Sequence, residues 1–120
     1  MSNYHLVGDI EATGPSWTDH FMTCMAFVLM APNGTIVATY KSYIAQPEGT
    51  GWDRRTLDEF WLKHPDVYNT TLQEVAKARP AAVVMKEFLA WVREVTSGKP
   101  VLLVFDTAGF DYGYVCRPPD

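Results

Sequence analysis

An α/β domain, a mixed sheet with helices packed against it, is the fold class this sequence predicts, on three observations. Apolar and aromatic residues gather early in three strand-length segments. A helix-period pattern occupies the second half, and the apolar run Val101-Leu102-Leu103-Val104-Phe105 follows it. Three strands, a helical segment and a fourth strand make the helical segment a natural crossover back to the sheet.

Tyr4 to Ile10 reads as the first strand, Phe21 to Met30 as the second and Thr35 to Ile44 as the third. Pro32-Asn33-Gly34 is a strong turn signal and predicts an antiparallel hairpin between the second and third strands. The loop from about Ala45 to Asp53 contains Pro47, Gly49 and Gly51, a composition suited to lining a cleft or crossing a sheet edge. Thr56-Leu57-Asp58-Glu59 has the spacing of a capping box, ahead of Phe60, Trp61 and Leu62, with Pro65 as the stop. A second box, Thr71 through Glu74, opens another short helix that carries Leu72, Val75 and Ala76 and ends before Pro80.

From Pro80, the apolar positions Ala81, Val84, Phe88, Trp91 and Val95 recur at helical spacing, while Lys86, Glu87 and Arg93 fall mostly elsewhere. Ser97-Gly98-Lys99-Pro100 ends that helix, and Val101 to Phe105 is apolar without interruption, as a central strand is. Residues 109 to 115 suit the start of a further helix.

At 120 residues the chain is one domain, 1–120, and too short for two ordinary ones. A hydrophobic share of 48%, with 4 Trp, 6 Phe and 6 Tyr, supplies a core and excludes global disorder. A formal net charge of -4 disfavours a protein that holds nucleic acid by a broad basic surface, though not an acidic site that works through bound cations. Cys24 and Cys116 show no disulfide pattern, which suits a reducing compartment. No membrane span or leader is legible, so the expected location is cytoplasmic.

Chemistry is carried by the acidic residues. In a strand, Asp9 and Glu11 project from one face while Ile10 projects from the other, so two carboxylates stand side by side. Asp111 follows the fourth strand after a short turn containing Gly109, and approaches Asp9 and Glu11 if that strand lies beside the first. Clustered carboxylates repel one another, and Mg²⁺ or Mn²⁺, hard cations suited to oxygen ligands, relieve the repulsion. Two such ions roughly 3.5–4 Å apart would activate a water and stabilise the departing oxygen of a phosphoryl displacement.

Val7-Gly8-Asp9-Ile10-Glu11-Ala12-Thr13-Gly14 resembles the first exonuclease motif of the DnaQ-like, or DEDD, 3′–5′ exonucleases, whose fold is ribonuclease H-like. Leu103-Val104-Phe105-Asp106-Thr107-Ala108-Gly109-Phe110-Asp111 resembles their second. The resemblance implies a ribonuclease H-like mixed sheet and hydrolysis at the 3′ end of single-stranded DNA or RNA. It implies Asp9, Glu11 and Asp111 as ligands of two Mg²⁺ or Mn²⁺ ions, with Glu11 also orienting the attacking water. Ala12, Thr13 and Gly14 would lie along the terminal nucleotide, the Thr13 hydroxyl near its 3′ end, and Phe110 would pack beneath the site or border the base.

The family's third motif, a His or Tyr base with a fourth carboxylate, has no counterpart here. His5 and His20 read as solvated or structural histidines, His64 as a helix-end residue favoured by the dipole, and Asp120 follows Pro118 and Pro119, which oppose a helix. Three explanations fit: an amino-terminal part of a longer enzyme, a homologue that has lost activity, or a subunit completed by a second copy. The first is favoured because the helix near Gly109 is barely formed before Pro118. An apolar face left for a partner or dimer to cover is then expected.

The alternative to a nuclease is a degenerate nucleic-acid-binding or structural module that keeps the fold. A remoter one is another ribonuclease H-like phosphate-transfer enzyme, and no phosphate loop is present. Trp17 and Trp52 are candidates to stack on bases, though pinning loops to the core is the simpler role. Trp61, Phe88 and Trp91 read as core. Arg54, Arg55 and Lys63 suit backbone phosphates or a solvated helix face.

Overall fold

The computed structural model describes residues 3–16 and 18–105. Four strands form one sheet: β1 (Tyr4–Ala12), β2 (Met22–Met30), β3 (Ile36–Tyr43) and β4 (Val101–Phe105), in the spatial order β3-β2-β1-β4. Antiparallel pairing joins β1 to β2 and β2 to β3, whereas β4 runs parallel to β1 with Phe105 opposite Gly8. Between β3 and β4 lie α1 (Arg54–Glu59), a 3₁₀ turn (Trp61–Lys63), α2 (Pro65–Ala76) and α3 (Ala81–Thr96), the crossover that a parallel return requires. The mixed α/β sheet with flanking helices is the architecture expected from the sequence.

The hairpin turn falls where Pro32-Asn33-Gly34 placed it. Gly34 takes φ +86°, Ala31 N–H donates to the Thr35 carbonyl at 2.8 Å, and the Asn33 side chain accepts from Thr35 N–H at 3.0 Å. Helix α3 likewise follows its predicted stripe: Val84 and Phe88 are buried, and Ala81, Trp91 and Val95 pack against the core. It ends on Ser97 at φ 54° and Gly98 at φ 76°, with Gly98 N–H returning to the Arg93 carbonyl at 3.0 Å.

The core lies between α3 and one sheet face, where Leu6, Ile10, Met25, Phe27 and Leu29 meet Val84 and Phe88. The ring of Phe27 stands 4.6 Å from Phe88 and 5.9 Å from Phe105, and Tyr40 closes the far side 5.4 Å from Phe88. Gly8 makes this possible, since a Cβ there would collide with the Phe27 ring and come within 2.6 Å of Phe105. Outside the core, Arg79 grips Glu87 through two bonds of 2.6 and 2.8 Å, and the Tyr40 hydroxyl donates to the same carboxylate at 2.8 Å, which fastens α3 to β3.

Two helix starts differ from expectation. Helix α1 is capped by Asp53, whose carboxylate accepts from Thr56 N–H and Thr56 Oγ1, both at 2.9 Å, so Thr56 is the capped residue and not the cap. Pro65 opens α2 instead of stopping a helix, because a proline at the first helical position loses no intrahelical bond, and α2 then runs through Thr71, which is buried inside it. The run Val101–Phe105 forms its strand within the expected bounds. It is the terminal strand among the described residues, however, and Leu102, Leu103 and Val104 are 40–49% exposed. The helix expected over 109 to 115 lies outside the described residues.

Candidate functional site

Strand alternation divides β1 in two. Leu6, Gly8 and Ile10 are buried toward α3, whereas Asp9 and Glu11 are exposed on the opposite face. The carboxylates therefore stand as expected, side by side near the end of β1. The parallel partner β4 sets Phe105, the last described residue, opposite Gly8 and so one position from Asp9 in the register. Asp111, Phe110 and Trp17 lie outside the described residues. Among those described, no three His, Cys, Asp or Glu side chains come together as a metal-binding group.

The β1–β2 register shifts immediately after Glu11, which faces Cys24, while Ala12 faces Met22. Thr23 is the extra residue of β2, fully buried, and its hydroxyl donates to the Glu11 carbonyl at 3.0 Å. A bulge of this kind bends its strand and re-aims the neighbouring side chains. The next carbonyl, of Ala12, accepts the indole N–H of Trp61 at 3.2 Å, and that of Thr13 accepts Asp53 N–H at 2.9 Å. Three successive carbonyls after the acidic pair are thus held by three separate elements, which fixes where β1 stops and how the loop leaves it.

Thr13 itself is fully buried. Its hydroxyl donates to the Gly51 carbonyl at 2.6 Å and accepts from Phe21 N–H at 3.1 Å. The hydroxyl expected near a nucleotide 3′ end is therefore committed inside the fold, because two buried backbone groups would otherwise lack partners. Gly14 is also buried, and a Cβ on it would strike the His20 ring and approach Asp53 Cβ to 2.7 Å. Asp53, which caps α1 and binds Thr13, has its carboxyl held below the usual range by the Thr56 backbone N–H and then the Thr56 hydroxyl.

Aromatic rings floor this loop. Trp52 meets Phe21, Trp61 and Tyr68 edge-on at 5.9, 5.3 and 5.4 Å, and Trp61 is fully buried, so Trp52 serves as a loop anchor and Trp61 as core. Arg54 and Arg55 pair with Asp58 and Glu59 one helical turn on, as a solvated helix face does. His64 bonds the Phe60 carbonyl through Nδ1 at 2.8 Å and lies against its ring.

On the acidic face, Asp9 faces Ala26, which faces Lys41, and these residues with Val7, Val28 and Thr39 line a shallow depression. Lys41 rests 5.3 Å from the Tyr43 ring centre. Cys24, buried opposite Glu11, has its thiol pushed up to about 11, chiefly by burial, with Lys41 opposing and Glu11 and Asp9 adding. A thiol so held is protonated at neutral pH, so the donors this face could offer a metal ion are the hard carboxylate oxygens. Two exposed carboxylates suit Mg²⁺ in particular, which takes one or two from protein and fills its remaining positions with water and substrate phosphate.

Of the residues that shape the site, Gly51 and Asp53 fall in the loop that the sequence suited to lining a cleft, and His20 and Trp61 read as structural and core residues, while the bulge at Thr23 left no signal in the sequence.

No protein-family model and no curated protein matches this chain. Solved structures do. The nuclease domain of 3′hExo, a DEDDh family member bound to rAMP, superposes with a TM-score of 0.68 at 18% identity, over 94% of this chain and 56% of that one. Cell-death related nuclease 4 (CRN-4) gives 0.64 at 18% identity over 91% and 36%, and E. coli Exonuclease I in complex with a dT13 oligonucleotide gives 0.64 at 12% over 94% and 22%. The chain has the ribonuclease H-like fold of these exonucleases, at low identity. It spans about half the length of the first and about a third or less of the others.

Proposed function

We propose that this chain is a nucleic-acid-binding module of the exonuclease fold that engages the 3′ end of a single strand. Asp9 and Glu11 hold a divalent cation against the terminal phosphate, and the Ala12–Gly14 loop shapes the nucleotide's seat. One observation carries the reading: two carboxylates stand exposed at the end of β1, on backbone pinned by Thr23, Trp61 and Asp53. Mg²⁺ or Mn²⁺, when bound, supplies charge neutralisation. The chain's own residues orient the strand end and present both carboxylates on the exposed face.

A second reading, metal-dependent 3′–5′ hydrolysis with Asp111 as third ligand, is favoured by the parallel β1–β4 pairing, which sets Phe105 opposite Gly8. It needs a general base in addition to the three carboxylates. Cleavage of 5′-labelled single-stranded DNA and RNA with Mg²⁺ or Mn²⁺, run beside direct binding of the same strands, separates the two. Metal-dependent binding without shortening, weakened by Asp9→Ala, supports the binding module. A ladder from the 3′ end that Asp9→Ala abolishes supports hydrolysis, and neither binding nor cleavage rejects both.

A further inference from the structure

The loop between β1 and β2 is drawn together at His20 by one backbone and one side-chain bond. His20 N–H donates to the Ser16 carbonyl at 2.8 Å, and Ser16 N–H donates back to His20 Nδ1 at 3.1 Å. The imidazole lies against Gly14, so closely that no Cβ fits there. Strand-like pairing of His20 with Gly51, and a bond of 3.0 Å from Gly51 N–H to the Asp19 carbonyl, tie the closed loop to the Gly51–Asp53 segment. Asp53, whose Cβ lies against Gly14, interacts electrostatically with His20, and Asp19, one residue before it, accepts the Ser16 hydroxyl at 3.3 Å.

An Nδ1 that accepts an amide proton carries none of its own, so this geometry selects the neutral ring protonated at Nε2. We propose that His20 is a positioning residue, whose neutral ring sets the path of the Thr13–Ser16 loop against the terminal nucleotide. This rests on the 3′-end reading above. A proton added at Nδ1 would point at the Ser16 amide, remove the acceptor and draw the ring toward Asp53. The loop then keeps its backbone bond but loses the one that fixes the ring against Ser16, and the seat of the strand end loosens.

The test follows the ¹H–¹⁵N resonance of the Ser16 amide in the full chain from about pH 8 to pH 5, the interval in which imidazoles generally change charge. In parallel, binding of a dinucleotide without a terminal phosphate, whose phosphodiester keeps its charge over this interval, is measured with Mn²⁺ by calorimetry. The Ser16 amide is expected to shift and to lose exchange protection as the His20 ring gains its proton. Nucleotide binding is expected to weaken about five-fold over the same interval, the equivalent of one ordinary hydrogen bond. His20→Asn, whose amide oxygen can accept at any pH, should remove that pH dependence while keeping binding; His20→Leu should bind about five-fold more weakly throughout.

A Ser16 amide indifferent to His20 protonation, in a chain that binds nucleotide, overturns the inference and leaves the proposed function standing. Equal binding by His20→Leu does the same. An intact Ser16 response in a chain that binds no nucleotide overturns the proposed function, and the role given to His20 falls with it. Should His20→Leu fail to fold, the titration of the unaltered chain and the His20→Asn variant decide the matter.

Discussion

The two faces of β1 are built for opposite purposes from alternate residues of one strand. Toward α3 the strand presents Leu6, Gly8 and Ile10 to a packed layer of Phe27, Phe88, Val84 and Leu29, where every ring has a neighbour and even a methyl on Gly8 has no room. Toward the other side it presents Val7, Asp9 and Glu11, with the two carboxylates exposed beside a shallow depression that reaches Lys41. The difference teaches that stability and chemistry have been separated by the strand's period of two. The covered face tolerates no change of volume, while the open face keeps its carboxylates in contact with water, where polar groups cost little to hold.

The largest effect should come from opening the covered face. Phe27→Ala removes a buried ring between Phe88 and Phe105 and should cost about 3–5 kcal/mol, read as a fall in the midpoint of urea unfolding without loss of slope. A smaller loss would mean that this face repacks freely, and the contrast between the faces would be false. Next in size is the junction between the faces. Thr13→Val keeps the shape but leaves Phe21 N–H and the Gly51 carbonyl without their partner, at a cost of about 1–3 kcal/mol in the same assay.

The Arg79–Glu87–Tyr40 clamp at the edge of the covered face should report through pH. The Arg79 hydrogen bonds, then that of Tyr40, hold Glu87 down to about 2 from an ordinary 4.5. A carboxyl depressed in the folded chain adds stability that is complete above its unfolded pKa and is lost as pH falls through the folded one. The stability gap between the unaltered chain and Glu87→Gln should accordingly be constant near neutrality and shrink from about pH 4.5 toward pH 2. A gap that persists unchanged at pH 2 would assign the clamp to packing instead of charge.

The smallest effect on folding should be on the open face. Asp9→Ala and Glu11→Ala should each change stability by less than about 0.5 kcal/mol in the absence of metal, since these side chains are exposed. Under the proposed function, millimolar Mn²⁺ should raise the melting temperature of the unaltered chain, and both substitutions should abolish that rise. If either substitution unfolds the protein without metal, the open face carries structure after all.

Much of this was legible because it depends on period. Apolar spacing in Ala81, Val84, Phe88, Trp91 and Val95 marked the covered face of α3, and the D-x-E spacing fixed Asp9 and Glu11 to one side of β1 before any partner was known. The Asn33-Gly34 turn was equally local, since only a residue free to take positive φ closes it. Helix starts were less legible because Thr-x-x-Glu occurs twice and Asp53 competes for the first. A capping spacing states a capacity, and the chain's path into the helix chooses which residue uses it.

By itself, then, the sequence determined the element types, the hairpin, the stripe of α3 and the pairing of two carboxylates on one face, because each follows from side-chain period or local backbone preference. Only the tertiary structure decided that Thr23 bulges β2 beside Glu11 and that Thr13 turns its hydroxyl inward to Gly51 and Phe21. It alone decided that Trp61, forty-nine positions from Ala12, holds the end of β1. Those choices belong to buried backbone groups in search of partners, and a partner distant in sequence becomes near only when the sheet and its crossover have formed.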